Sequence, residues 1–227
     1  MIVAVIPARK GSKRIKNKNI KSFLGKPIIN YSISEAKKSK IFKEIIVSTN
    51  STKILKHSIK LGAKNSFMRA EKISDDKTGI LEVMADAAKV IKKKHKSIKY
   101  LCCIFAASPL IQSNDLRKGY SQIKTNKFDY VFTATNYNYP IERAFKIKKN
   151  KLKMINKNNY KKKSQFFEET YHDAGQFYFG KINSWLKKKI IFDKNSKIIK
   201  LPNWRVQDID VKDDWKRAEI LYKNLKK

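Results

Sequence analysis

The chain begins with an uninterrupted apolar run, Met1–Ile6, that leads directly into a basic loop over residues 7–19. A run without polar alternation is typical of a strand buried on both faces, as in the parallel sheet of an α/β protein. Ligands bind outside the carboxyl ends of such strands. The loop is therefore predicted to gather polar and cationic groups around a polyphosphate. These groups are Arg9, Ser12, Lys13 and Lys18.

The loop departs from the common phosphate-binding patterns. It contains one glycine, Gly11, so neither the P-loop pattern nor the dinucleotide-binding glycine pattern is present. Side-chain charge would replace glycine backbone in holding phosphate. A solvated basic loop without a ligand stays open as the alternative, because lysine clusters occur throughout the chain.

The composition fits one α/β domain with a high positive charge. The chain has 227 residues and a formal net charge of +34. Nearly all of this charge comes from dispersed lysines, whereas a nucleic-acid surface would use more arginine, concentrated on one face with aromatic residues. We therefore expect polyanionic small molecules as partners. A basic nucleic-acid-binding protein is kept as the rival class.

Cysteine and histidine are too sparse for a soft-metal site. The two cysteines, Cys102 and Cys103, are neighbours in an apolar stretch and should point to opposite faces of a strand. The three histidines are dispersed. No signal-peptide pattern and no apolar run long enough to span a membrane is found, so we expect a soluble, cytoplasmic protein without a membrane partner.

Apolar β-rich runs alternate with helical patterns over the first 135 residues. This alternation predicts an α/β fold with a doubly wound, mostly parallel sheet. Further strands are expected at 43–49, 65–68, 99–105, 128–135, 176–179 and 197–201. Helices are expected at 28–40, 51–61, 81–94, 115–126, 183–186 and 213–225, with Ser113 or Asn114 capping the fourth.

The pattern changes between residues 136 and 171. This stretch is rich in lysine and asparagine and contains short alternating pieces, which favour an antiparallel ribbon over a crossover helix. We interpret it as an arm or cap on a single domain spanning 1–227. No linker divides the chain.

Two aspartates late in the chain are candidate metal ligands. Asp208 and Asp210 are two residues apart, so on an extended segment both carboxylates share a face while Ile209 points into the core. Such a pair suits Mg²⁺ bridged to phosphate oxygens. Alternatively, Asp210 or a later acid such as Asp213 caps the final helix, and spacing alone does not separate the two interpretations.

A second polar group lies at residues 171–178. His172 and Asp173 precede Gly175, whose lack of a side chain would let backbone approach a ligand. A His-Asp pair without a serine or cysteine nucleophile is weak support for catalysis, so a structural turn is the favoured interpretation.

Taken together, these segments resemble those of the acylneuraminate cytidylyltransferase family, most closely the branch that uses pseudaminic acid. The resemblance spans nearly the whole chain. It rests on residues 6–14 with 18–19, 67–69 with 74–76, 171–178, and 205–210. It implies a nucleotide-diphospho-sugar transferase-like fold with a dimerisation arm at about 136–171, and a homodimer.

The resemblance also implies the residues of the site. Arg9, Lys18, Asp208 and Asp210 are expected to be catalytic, with the two aspartates binding Mg²⁺. Sugar contacts are expected from Phe105, His172, Asp173 and Gln176. Nucleotide contacts are expected from Ala8, Arg9, Gly11, Ser12, Lys13, Lys18, Asn19, Arg69 and Ser108.

Departures from the family pattern bear on the substrate. Phe105 stands where enzymes that use sialic acid carry a glutamine, so the sugar contacts must differ. Lys10, Lys16 and Ala70 also differ from the usual residues without removing a charge that the mechanism needs. The resemblance thus implies transfer of CMP from CTP to a nine-carbon acidic sugar, with pseudaminic acid expected and N-acetylneuraminic or legionaminic acid as alternatives.

Overall fold

A computed structural model describes residues 1–225 as a three-layer α/β structure. The strands are β1 (Ile2–Pro7), β2 (Ser22–Phe23), β3 (Lys26–Pro27), β4 (Glu44–Thr49), β5 (Phe67–Met68), β6 (Tyr100–Ile104), β7 (Tyr130–Asn136), β8 (Phe145–Lys148), β9 (Lys151–Met154), β10 (Tyr171–Lys181) and β11 (Ser196–Lys200). The helices are α1 (Ile29–Ser39), α2 (Thr52–Lys60), α3 (Ile80–Lys94), α4 (Ser113–Ile123), α5 (Ile182–Leu186) and α6 (Lys212–Asn224).

The central sheet has seven strands in the order β11-β7-β10-β6-β1-β4-β5. Strand β1 pairs in parallel with both β4 and β6, and β11 pairs in parallel with β7. Strand β10 lies between β6 and β7 and is antiparallel to both. The expected α/β fold with a mostly parallel sheet is confirmed, with β10 as an antiparallel strand inserted near its middle.

The sheet is buried on both faces because its strands are apolar at successive positions. In β1, Ile2, Ala4 and Ile6 face one core and Val3 and Val5 the other. The cysteines divide in the same way, with Cys102 in the first core and Cys103 in the second, as predicted.

A helical layer covers each face. The first core takes its helical side chains from α1, α2 and α4, whereas the second is covered by α3 and α5. A third, smaller cluster forms where α6 packs against the β2–β3 hairpin, with Phe23 and Trp215 in edge contact at 5.5 Å between ring centroids. This cluster includes Ile209 and thereby anchors the segment that precedes α6.

Most expected helices and strands correspond closely to the observed ones, but β10 begins at Tyr171 where a turn was favoured, and the start of α4 was predicted incorrectly. Neither Ser113 nor Asn114 caps it. The N-cap residue is Gln112, and the Ser113 amide donates instead to Glu35 Oε2 of α1 at 2.8 Å. A side chain distant in sequence therefore provides the acceptor.

The stretch between β7 and β10 carries the hairpin β8–β9. Phe145 pairs with Met154 and Ile147 with Leu152, so these apolar side chains share one face. The other face carries paired lysines. Ile147 is 71% exposed and Leu152 64%, so the apolar face is open to solvent in the chain by itself.

Among residues 1–225, no helix combines the length and apolar character needed to cross a membrane.

Candidate active site

A cavity of about 400 Å³ opens at the edge of the sheet where β1 and β6 end. Because β10 is antiparallel, its amino-terminal part reaches the same edge. Among the residues that line the cavity are Arg9, Ser12, Lys13, Arg14, Lys18, Asn19, Arg69, Asp75, Asp76, Thr78, Phe105, Ser108, Asp173, Gly175, Asp208 and Asp210. The structure thus brings together most of the residues that the sequence singled out.

The basic loop after β1 forms one wall. The cavity is lined by the loop residues Arg9, Ser12, Lys13, Arg14, Lys18 and Asn19, but not by Ala8 or Gly11. Ala8 is fully buried, and its amide extends the β1–β4 pairing by donating to Ser48 O at 2.9 Å. Asn19 Nδ2 donates to Arg9 O at 3.0 Å and so fixes the path of the loop.

Lys18 connects this loop to the carboxyl-terminal segment. Its ammonium group donates to Ile209 O at 2.6 Å and lies 3.5 Å from Asp210 Oδ1. Arg14, which sequence reasoning did not select, forms an ion pair with the same carboxylate at 3.0 Å. The loop cations and the late aspartates are therefore parts of one site.

The segment over residues 208–210 precedes α6 without regular structure. Asp208 and Asp210 both line the cavity, whereas Ile209 is buried in the third cluster, as the spacing predicted. The cap alternative does not apply to Asp210, since Asp214 accepts hydrogen bonds from the amides of both Asp210 and Val211.

The two aspartates influence each other electrostatically. Desolvation by surrounding protein raises the pKa of Asp208, and the negative charge of Asp210 raises it further, while Lys18 opposes the shift. The residue is nevertheless open to solvent on its cavity side. A cation between the carboxylates would relieve this repulsion.

Asp173 forms the opposite wall at a bulge in β10. The pairing of β10 with β7 shifts register between Asp173 and Tyr178. Asp173 Oδ1 accepts from the Gly175 amide at 2.9 Å, and Oδ2 accepts from the Tyr178 hydroxyl. Phe105 packs edge-on against the Tyr178 ring at 5.1 Å. The carboxylate is therefore held in a defined orientation.

Two predicted sugar-binding residues do not line the cavity. The ring of His172 packs on Tyr137 at 4.8 Å, and its Nδ1 contacts the Asp173 carbonyl. Gln176 is buried, and its Nε2 donates to Arg205 O at 2.8 Å. His172 is the neighbour of Asp173 on the strand and so points to the opposite face, whereas Gln176 follows Gly175 within the register shift and is held by Arg205.

Arg205 anchors the segment that leads to the aspartates. Its guanidinium is buried, donates to Asp115 Oδ2 at 2.5 Å and also to Gln112 at the start of α4. Through its carbonyl it holds Gln176. This network joins α4, β10 and the late segment.

Arg69 and the loop after it complete the site. Arg69 is 5% exposed, and its Nε donates to Ser74 Oγ at 3.0 Å. Its NH1 nitrogen is buried and has no hydrogen-bond partner among residues 1–225. Burial lowers its pKa. Asp75, Asp76 and Thr78 also line the cavity. Sequence reasoning assigned these three no role, although 74–76 was among the motifs carrying the resemblance.

The donor set bears on metal binding. Within residues 1–225, no group of three or more His, Cys, Asp or Glu side chains is arranged to hold a metal ion. Mg²⁺ usually takes one or two carboxylates and completes its shell with water and substrate phosphate. The pair formed by Asp208 and Asp210, beside a cationic loop, fits that requirement.

The fold is similar to those of two solved synthetases. It matches a CMP-2-keto-3-deoxy-manno-octonic acid synthetase solved with CTP, at a TM-score of 0.71 over 99% of both chains with 13% identity. A 4-diphosphocytidyl-2C-methyl-D-erythritol synthase from Anaerococcus prevotii also matches, at a TM-score of 0.65 and 12% identity, over 100% of this chain and 96% of that one.

The chain belongs to the cytidylyltransferase family, whose model matches residues 3–226. It is 40% identical to the pseudaminic acid cytidylyltransferase of Campylobacter jejuni strain 81-176, over 97% of this chain and 96% of that protein. It is also 32% identical to the CMP-N,N'-diacetyllegionaminic acid synthase of Campylobacter jejuni strain NCTC 11168, over 97% and 94% of the two chains. The resemblance inferred from the motifs is therefore confirmed.

Proposed function

We propose that the protein transfers CMP from CTP to the anomeric hydroxyl of pseudaminic acid and releases pyrophosphate. The observation that carries the proposal is the convergence of the basic loop and the two late aspartates on one cavity. The 40% sequence identity to the Campylobacter jejuni pseudaminic acid cytidylyltransferase, over 97% of this chain, supports this sugar over related nine-carbon acids.

The triphosphate would bind the basic loop. Arg9, Lys13 and Lys18 present three cations at the end of β1, and Ser12 adds a hydroxyl. The buried NH1 of Arg69 would donate to a carbonyl oxygen of the cytosine base, which would satisfy a donor that lacks a partner.

Mg²⁺ would be held by Asp208 and Asp210 together with phosphate oxygens of the substrate. When bound, it neutralises charge that develops on the α-phosphate and on the departing pyrophosphate. Lys18, which contacts the carbonyl between the two aspartates, would keep both carboxylates directed toward the loop.

The reaction needs no nucleophile from the protein. The sugar hydroxyl oxygen would form the new bond to the α-phosphorus while the bond to the pyrophosphate oxygen breaks, and the hydroxyl proton leaves with base or solvent. Arg9 and Lys18 would stabilise the negative charge that accumulates on the phosphate oxygens. Catalysis then consists chiefly of positioning and charge stabilisation.

The sugar would enter on the side of β10. Asp173, held by Gly175 and Tyr178, offers a fixed acceptor for sugar hydroxyl or amide groups. Phe105 provides an apolar surface beside it. His172 and Gln176 lie outside the cavity of the single chain, so the proposed sugar contacts rest on Phe105 and Asp173.

A homodimer would complete the enzyme. The exposed apolar face of the β8–β9 hairpin is the surface that we assign to the second copy. A hairpin with lysines directly opposite each other is poorly stable alone, so burial of its apolar face would support it. The enzyme would act in the cytoplasm, where CTP is supplied.

The test is pyrophosphate release from CTP and Mg²⁺ with pseudaminic acid, run beside N-acetylneuraminic and legionaminic acids. We expect release with pseudaminic acid, and loss of more than about a hundredfold in rate for Asp208→Asn and Asp210→Asn, on the scale of losing electrostatic stabilisation. The matched control is Asp213→Asn, an exposed residue in the first turn of α6, which should retain activity. Turnover with another sugar alone would correct the substrate, and no turnover with any would contradict the proposal.

A further inference from the structure

Asp76 forms ion pairs with two of the cations that the proposed function assigns to the triphosphate. Its Oδ1 forms an ion pair with the Arg9 guanidinium, and its Oδ2 lies 2.5 Å from Lys13 Nζ. All three side chains line the cavity. Each carboxylate oxygen thus engages one cation of the basic loop.

The carboxylate is presented by an ordered turn. Asp75 Oδ1 accepts from the Lys77 amide at 3.1 Å and from the Thr78 amide and hydroxyl at 2.8 and 2.6 Å. Ser74, at the other end of the turn, binds Arg69. The backbone of the turn therefore directs Asp76 toward the loop.

Asp76 is ionised at neutral pH. Hydrogen bonds from Lys13 and Arg9 hold its pKa below the ordinary value. Its side chain is 35% exposed and that of Lys13 83%, so water reaches the contact and the pair can separate without unfolding the chain.

We propose that Asp76 is an internal competitor of the nucleotide: the triphosphate replaces it at Arg9 and Lys13, and its return to these cations assists the release of pyrophosphate. This inference rests on the proposed function. A phosphate group carries more charge and more acceptor oxygens than a carboxylate, so it displaces Asp76 when the rest of the nucleotide is bound.

The competition has a quantitative consequence. The apparent nucleotide affinity is the intrinsic affinity multiplied by the fraction of molecules in which the cations are free of Asp76. The same competition weakens the hold on pyrophosphate after the reaction. Asp76 would therefore raise the apparent Kd for both anions and shorten the lifetime of the product complex.

The experiment compares Asp76→Asn with Glu71→Gln. Glu71 pairs with Lys10 of the same loop at 2.9 Å but does not line the cavity, so both variants remove one negative charge beside the loop. Binding of CTP, pyrophosphate and inorganic tripolyphosphate is measured by calorimetry without sugar. We expect Asp76→Asn to bind all three anions at least about fivefold more tightly, and Glu71→Gln to stay within about twofold of the wild type.

Kinetics and a second variant make the inference specific. In Asp76→Asn the KM for CTP and the inhibition constant for pyrophosphate should both fall, with kcat unchanged or lower. In a Lys13→Gln background the tightening should shrink, because one of the contested cations is gone. Unchanged or weaker binding by both Asp76→Asn and Asp76→Ala would overturn the inference and make Asp76 a residue that orients the cations for the nucleotide.

The outcomes separate this inference from the proposed function. Tighter tripolyphosphate binding by Asp76→Asn, with CTP binding no better than tripolyphosphate in any variant, would support the role of Asp76 and contradict cytidylyl transfer. Specific CTP binding and turnover, with no effect of Asp76→Asn on anion binding, would support cytidylyl transfer and contradict the role of Asp76.

Discussion

Gly175 lies directly beside Asp208 in the candidate active site: a Cβ atom on Gly175 would lie 3.9 Å from Asp208 Cγ. Gly175 has a φ of +60°. Its amide donates to Asp173, and its carbonyl accepts from Ser108 Oγ at 2.9 Å. The backbone of one residue therefore joins Asp173 of β10 to the loop that follows β6.

Replacing Gly175 by alanine should cost about 1 kcal/mol of stability, because a left-handed backbone is unfavourable for a residue with a Cβ. The added methyl meets Asp208 at ordinary contact distance, so a clash is not the cause. Gly25→Ala is the matched control, since Gly25 has a φ of +87° and open space around it. Thermal unfolding should show similar losses for both variants, whereas turnover should fall only for Gly175→Ala. Equal turnover would contradict a role for the Gly175 backbone in the site.

Replacing Asp208 by asparagine should stabilise the fold at neutral pH while removing activity. The raised pKa means that the folded state favours the protonated carboxyl, so the contribution of Asp208 is favourable below its ordinary pKa and is lost as pH rises through the raised value. The Tm advantage of Asp208→Asn over the wild type should thus be absent near pH 3 and present at pH 7.

Asp76, whose pKa is lowered, gives the opposite sign: the Tm of Asp76→Asn should fall relative to that of the wild type as pH rises. The two predictions are contradicted if the Tm of both variants, relative to the wild type, changes in the same direction between about pH 3 and pH 7.

Replacing a residue of the buried ion pair between Arg205 and Asp115 should lower the free energy of unfolding. Asp115→Asn leaves the guanidinium of Arg205 buried without its counter-charge, for which we expect a loss of about 3–5 kcal/mol in urea unfolding. The control Lys38→Met removes an exposed pair with Glu35 on α1 and should cost less than about 1 kcal/mol. A loss below that of the control would mean that the network does not anchor the segment.

Changing the apolar face of the β8–β9 hairpin should prevent association. The double variant Ile147→Asp with Leu152→Asp places two charges on the face that we assign to the second copy. Light scattering should report a dimer for the wild type and a monomer for this variant. Lys148→Ser, on the opposite face, should remain dimeric. A monomeric wild type would contradict the assignment.

The sequence predicted most elements because their signals are local. The unbroken apolar runs of β1 and β6 and the helical spacing of α3 depend on neighbouring residues alone, and each was found within about two residues of its expected bounds. The insertion of β10 between β6 and β7 was not predicted, because strand pairing is a contact between distant segments.

The site was predictable in part for a related reason. Asp208 and Asp210 could be selected from their spacing, and the basic loop from its position after β1. Asp76 and Arg14 carried no distinguishing local pattern, and their relation to the cavity depends on how loops return to one sheet edge. Gln176 was selected from its motif, but its orientation is fixed by Arg205, which lies far along the chain.

The position of β10 has a consequence for the order of folding. Strands β6 and β7 both pair with β10, which comes after them in the chain, through pairs as distant in sequence as Phe177 with Ile104. Such non-local pairing is slow, because the chain loses entropy before contacts repay it. A chain folded only through β6 would already display the cations of the basic loop with Asp76 beside them, but not Asp173, Asp208 or Asp210. Such an intermediate would hold polyphosphate and have no means to react with it, so nucleotide binding and turnover should emerge at different times during refolding.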